Sequence, residues 1–216
     1  MKDTRTKLLK TAARLFARKG YNGVSVRQII QAAGTNISAI NYHFGDKQGL
    51  YLHTIQYLLD QNRVELLKNV SLPTPEQIQT MSNAQLLQAV HNFCDYLLDM
   101  KFDHKHLLLD RITSYAELES SDKMMTILLS YATPLSDMLG KIFSKLTGLK
   151  EKTPQIILLI HTIFWQLNIS ECDQFVVMHI LGRKELDTKL RNKIKDFVWN
   201  NILNTIKLYE RGIQKA

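Results

Sequence analysis

The chain has 216 residues, of which 45% are apolar and 22% charged, with a net charge of +8. That length supports one large domain or two small ones, with a core that needs neither disulfides nor a structural metal. The composition excludes a disordered tail and a membrane protein. No apolar run approaches the roughly 20 residues of a bilayer span. The basic N-terminal segment lacks the apolar block and cleavage site of a signal peptide. Two cysteines, Cys94 and Cys172, make no disulfide framework. A soluble, cytoplasmic protein is the expectation.

The charge is unevenly spread. Residues 1–50 carry nine Lys/Arg against two Asp/Glu, so almost the whole excess sits in the first quarter of the chain. A basic module ahead of a near-neutral body suggests a polyanion-binding head. On charge alone, a basic surface that is merely solvated stays open.

The first helix is expected from Asp3 or Thr4 to Lys19, with Gly20 as its stop. Leu8, Ala12, Leu15 and Phe16 share one face, and Lys7, Lys10, Arg14 and Arg18 form a basic stripe opposite. Ser25 is placed to cap a second helix that packs through Val26, Ile29, Ile30 and Ala33 and ends at Gly34. A third short helix follows, from Asn36 or Ile37 to Phe44. Two short helices joined so tightly form a helix-turn-helix. Asp46 caps a long fourth helix reaching about Lys68, and residues 71–75, with two prolines, read as a break.

Beyond it the spacing predicts helices over 83–100, 104–119, 122–146, 154–170, 174–181 and 187–209. Pro134 is expected to kink or split the third of these. Thr153 followed by Pro154 reads as a helix start. No strand pattern, internal repeat or low-complexity segment is evident. The fold class is therefore all-α: a helix-turn-helix head over residues 1–50 and a larger helical body over 51–216.

The second helix of a helix-turn-helix fits the major groove, where base edges are distinguishable, while flanking groups hold phosphates. Here it offers Thr35, Asn36, Ser38, Asn41, Tyr42 and His43. Ile37, Ile40 and Phe44 are spaced to anchor it. Lys47 stands at the start of the fourth helix, where the macrodipole also favours a phosphate.

The segment FARKGYNGVSVRQIIQAAGTNISAINYHFGDKQGLY resembles the N-terminal DNA-binding domain of the TetR/AcrR family of bacterial transcriptional regulators. The likeness spans about residues 5–55. It lies in Phe16, Gly20-Tyr21, Ser25 to Ile29, Ala33-Gly34, Tyr42 to Phe44 and Lys47 to Tyr51. NISAINYHFGDKQGLY and HILGRKEL…IKDFVWNNIL further resemble the subgroup with a CecR-type C-terminal domain. The resemblance implies an all-helical homodimer, a roughly palindromic double-stranded operator, and an unidentified small-molecule effector bound by the body. Carried over position by position, it implies phosphate contacts from Arg27, Tyr42, His43 and Lys47, a capping Ser25 that can add a contact, and groove-facing Thr35, Asn36 and Ser38. Two positions depart from many members. Asn41 replaces a tyrosine and either reads adenine or meets only solvent or phosphate. Ile37 replaces a polar or basic residue and either packs inward or meets a thymine methyl.

In the body, Phe93, Tyr96, Tyr115, Met124, Met125, Phe164, Trp165, Phe175, Met178 and His179 could line a cavity for a hydrophobic effector or simply form core. The apolar helix over 154–170 and the stripe of the last helix suit a two-fold seam. Neither a metal nor a cofactor is expected. His104 and His106 are two apart and point to different sides of a helix. Cys94, His161, Cys172 and His179 form no zinc spacing. No P-loop, Rossmann fingerprint, nucleophile elbow or HExxH gives an enzyme reading support. The expectation is thus a non-enzymatic, ligand-released repressor. The alternative is a helical small-molecule-binding protein or enzyme whose head serves another polyanion.

Overall fold

The computed structural model describes residues 2–103, 107–118, 122–169 and 171–213. Eleven α-helices and no strand are present among them: α1 (Lys2–Lys19), α2 (Val26–Ala33), α3 (Ile37–Phe44), α4 (Lys47–Asn69), α5 (Pro75–Thr80), α6 (Asn83–Phe102), α7 (Leu107–Leu118), α8 (Asp122–Thr147), α9 (Pro154–Leu167), α10 (Glu171–Ile180) and α11 (Thr188–Ile213). His104, His106 and Ser170 lie outside the described residues, as does the side chain of Cys172. The chain divides into two compact units, Met1–Leu66 with His106–Ala132, and Leu67–Lys105 with Thr133–Ala216.

The first unit forms around α1. Leu8, Leu9, Ala12 and Phe16 are buried with Ile29 and Ala33 of α2, Ile40 and Phe44 of α3, and Leu50, Tyr51, Ile55 and Leu59 of α4. Phe16 meets the Tyr51 ring edge-on at 4.9 Å, and Tyr21 lies 5.0 Å from Tyr51, so the aromatics of the recognisable segment form one packed cluster. The unit runs past residue 50. Leu109 and Ile112 of α7 and Met124 of α8 complete its core, because the apolar faces of α1 and α4 are too wide for the short α2 and α3 to cover. Charge marks the basic head; apolar burial sets the larger compact unit.

Local chemistry accounts for the tight helix-turn-helix. Ser25 and Gln28 form a capping box: Gln28 N–H donates to Ser25 Oγ at 3.2 Å and Ser25 N–H to Gln28 Oε1 at 2.9 Å. Gly34 ends α2 in the left-handed region at φ 57°, which glycine adopts without a Cβ penalty. Asn36 Oδ1 then accepts from Ala39 N–H at 3.0 Å and starts α3. Asp46 Oδ1 accepts from Gly49 N–H at 2.7 Å in the first turn of α4. A Cβ at Gly49 would collide with the Phe44 carbonyl oxygen, so glycine permits the close return of the chain there.

In the second unit, α11 packs on α6 and α9, and α6 packs on α9. Its core includes Leu86, Phe93, Cys94 and Leu98 of α6, Ile156, Leu159 and Ile163 of α9, Phe143 of α8, and Ile202 of α11. Polar clamps border it. Lys195 Nζ meets Asp99 at 2.7 Å, and Arg191 pairs with Asp103.

Three elements differ from expectation. Between the break at 71–75 and the helix expected from 83 lies an additional short helix, α5, which has its own capping box between Thr74 and Gln77 and Pro75 in its first turn. The sequence T-P-E-Q carries that signal, but six residues are too few for a hydrophobic period to show. α8 is not split at Pro134. Proline has no N–H for the Ser130 carbonyl one turn back, and Arg63 Nη2 donates to that carbonyl instead, at 3.2 Å. Finally, α10 begins at Glu171, three residues before the expected start.

Candidate DNA-reading face and effector groove

Successive residues of α3 are about 100° apart around its axis. Ile40 and Phe44 are buried, and Ala39 and His43 are half-buried beside them. The remaining arc carries Ile37, Asn41, Ser38 and Tyr42, all exposed. The expected anchoring by three residues is therefore corrected to two. Ile37 is 55% exposed, since its position at the start of α3 falls outside the buried face. Tyr42 is 71% exposed, with its ring edge-on to His43 at 4.9 Å.

The other expected contact residues surround this arc. Arg27 is exposed near the start of α2 and Ser25 caps that helix. Asn36 is exposed, with its side-chain oxygen committed to the α3 cap. Thr35 is half-buried, and its hydroxyl lies inside the protein without a hydrogen-bond partner among the described residues. Lys47 is half-buried, with Nζ 4.1 Å from the Tyr21 ring centroid, a cation–π contact that holds the ammonium at the first turn of α4.

Two basic residues outside the expected set adjoin the motif. Lys7 Nζ lies 3.6 Å from where a Cβ on Gly34 would be, beside the turn, and the Arg5 guanidinium lies 5.6 Å from the Phe44 ring centroid. The basic stripe of the first helix was legible, but its position against the turn depends on packing between α1 and α2.

Among the described residues, the expected effector-lining side chains occupy several different settings. Phe93 is core and meets Phe164 edge-on at 6.3 Å. Tyr96 is half-buried on α6, and Met178 is half-buried on α10. Met124 is buried and Met125 exposed in the first unit. The side chain of Tyr115, on α7, lies outside those described. Phe175 is exposed and stacks with His179 at 6.3 Å. Trp165 alone of the set lines the larger groove, an open space of about 490 Å³ whose walls include Asn168, Val177, Ile194, Phe197 and Asn201. A smaller cleft of about 250 Å³ lies along α8 and α9, where Lys152 approaches Asp137 at 3.6 Å.

Burial, with Asp95 nearby, pushes the Cys94 thiol up to about 12, so it stays protonated at neutral pH and unsuited to nucleophilic chemistry. No group of three or more His, Cys, Asp or Glu side chains with metal-binding geometry occurs among the described residues. No helix among them is long and apolar enough to cross a membrane.

Comparison with known proteins adds to this geometry. Residues 8–54 match the family model described as "Bacterial regulatory proteins, tetR family". The chain is 29% identical over 128 residues to the probable HTH-type transcriptional regulator YttP of Bacillus subtilis, across 59% of this chain and 56% of that one. It thus spans about half the length of that relative. It is 22% identical over 172 residues to the HTH-type transcriptional dual regulator CecR of Shigella flexneri, across 76% and 74% of the two chains. The crystal structure of AibR in complex with isovaleryl coenzyme A and operator DNA shares the fold. Its TM-score is 0.62 at 16% identity, covering 91% of this chain and 96% of that one.

Proposed function

We propose that this chain, which belongs to the TetR/AcrR family of bacterial transcriptional regulators, acts as a homodimeric repressor released from its operator by a small hydrophobic ligand. The observation that carries the reading is the exposed arc of α3, polar but for Ile37, on a module of strong positive charge. Each head, residues 1–50, puts α3 into a major-groove half-site of a roughly palindromic operator. Asn36, Ser38 and Asn41 face bases, and Arg27, Tyr42, His43 and Lys47 hold phosphates, with Ser25 capping α2. Thr35 supports the turn from within. Cytoplasmic residence follows from a DNA partner, and the chain acts by binding rather than catalysis.

The body, residues 51–216, supplies dimerisation and effector binding. Ile157, Leu158 and Trp165 of α9 and Phe197 of α11 leave an apolar surface open on one copy of the chain, which suits a self-complementary two-fold seam. The groove beside it, lined by Trp165 and Phe197, and the pairs Phe93–Phe164 and Phe175–His179 are the surfaces an apolar effector would use or displace. α4 carries the connection, since it begins in the head and ends in the second unit. A coupling of about 1–3 kcal/mol would change operator affinity by roughly 5–150-fold.

Selection of genomic fragments by the full chain, followed by footprinting, tests the reading. Two protected half-sites about one helical turn apart are expected. Recovery of fragments without a shared sequence would contradict it.

A further inference from the structure

The side chain that the reading above leaves without a task is Ile37. An isolated exposed isoleucine needs no explanation in general, but the position of this one is informative. It opens α3, directly after the capping Asn36, at the end of a recognition helix that approaches base edges. It lies about 40° from Asn41 around the helix axis, so the two are neighbours on the exposed face. The anchoring role is filled by Ile40 and Phe44, both buried. The electrostatics fit a duplex: Lys7 adjoins the turn before α3, and Lys47 follows it. On a face directed at DNA, an aliphatic side chain can recognise one major-groove feature by burial, the 5-methyl group of thymine.

We propose that Ile37 is a specificity-determining residue that packs on a thymine methyl in each half-site, beside the base contacted by Asn41. The inference rests on the DNA-regulator reading, and its consequence is a methyl-dependent position in the operator. An amide at Asn41 and an aliphatic group at Ile37, one turn apart, together favour an A·T-containing step, because adenine offers N6 and N7 to the amide and thymine offers the methyl.

The test uses the full chain and an operator recovered by selection from random duplex DNA. Each thymine of the half-site is replaced in turn by deoxyuridine, which keeps base pairing and removes only the methyl. At one position, replacement should weaken binding of the unmodified protein roughly fourfold per half-site, the worth of one buried methyl. Ile37→Ala should bind the thymine and deoxyuridine operators equally, and Ile37→Val should keep part of the difference. Asn36, Ile40 and Phe44 are untouched in both variants, so the helix retains its cap and anchors. The inference is overturned if no thymine methyl affects the unmodified protein, or if one matters equally in Ile37→Ala. If selection yields no preferred sequence, the regulator reading fails and takes this inference with it.

Discussion

Asn36 serves two purposes that substitution can separate. Its side-chain oxygen caps α3, and the proposed function assigns its amide nitrogen a base contact. Asn36→Ala should therefore lose about 1 kcal/mol of stability in urea denaturation as well as base contact. Asn36→Ser should keep the cap, leave the denaturation midpoint nearly unchanged, and alter the selected operator sequence. Equal loss of stability in both variants would mean that the residue 36 side chain does not act as the cap of α3. Lys47→Ala, in contrast, removes the proposed phosphate contact. It should weaken binding to all duplexes alike and flatten the salt dependence by about one unit of slope per head. Most of this face was legible in the sequence, because Ser25, Gly34, Asn36 and Lys47 occupy positions fixed by local capping and turn chemistry. The side-chain directions of Thr35 and Ile37 were not, since they depend on how α3 settles against α1 and α4. Cys94 gives a separate check on packing. Its thiol ionises near 9 when unfolded and near 12 when folded, so the folded state holds the extra proton between those values. Stability should fall as pH rises through that window, by up to about 1.4 kcal/mol per pH unit from this group. Comparison of unfolding at pH 8 and pH 10 should show a smaller alkaline loss in Cys94→Ala than in the unmodified chain.

Among the elements, those defined by long hydrophobic periods, such as α1, α6 and α11, could be placed from sequence, and those held by single polar contacts could not. α5 is the clearest case. Lys145 Nζ donates to the carbonyls of Ile78, Gln79 and Met81 at 2.8, 2.7 and 2.7 Å, satisfying the open end of that short helix from across the unit. Nothing in the order of residues links position 145 to positions 78–81. Lys145→Met should lower stability by about 1 kcal/mol, a charge-assisted bond discounted for its exposure to solvent, and should raise amide exchange in α5 more than in α6. Uniform exchange in both would mean that the lysine does not hold the helix. The continuity of α8 has a similar origin, since Arg63 supplies the donor that Pro134 lacks.

For the whole molecule, the sequence showed an all-helical chain with a basic head, but not where the apolar surplus of the body goes. The helix over 154–170 and the last helix read as a two-fold seam, and Trp165 of α9 is 69% exposed and Phe197 of α11 is 67% exposed in one copy of the chain. In the proposed homodimer a second copy covers that surface. Trp165→Lys combined with Phe197→Lys should shift the mass in light scattering from about twice 25.0 kDa to the single-chain value and weaken operator binding by loss of paired heads. A double variant that remained dimeric would place the seam elsewhere. The proposed function stands on sequence-specific DNA recognition by the α3 face. It is tested most directly by fluorescence polarisation at physiological salt, with a selected operator and a scrambled duplex of equal length, each with excess competitor DNA. The operator should bind at least about 10³-fold tighter. Equal affinity for the two duplexes would contradict it.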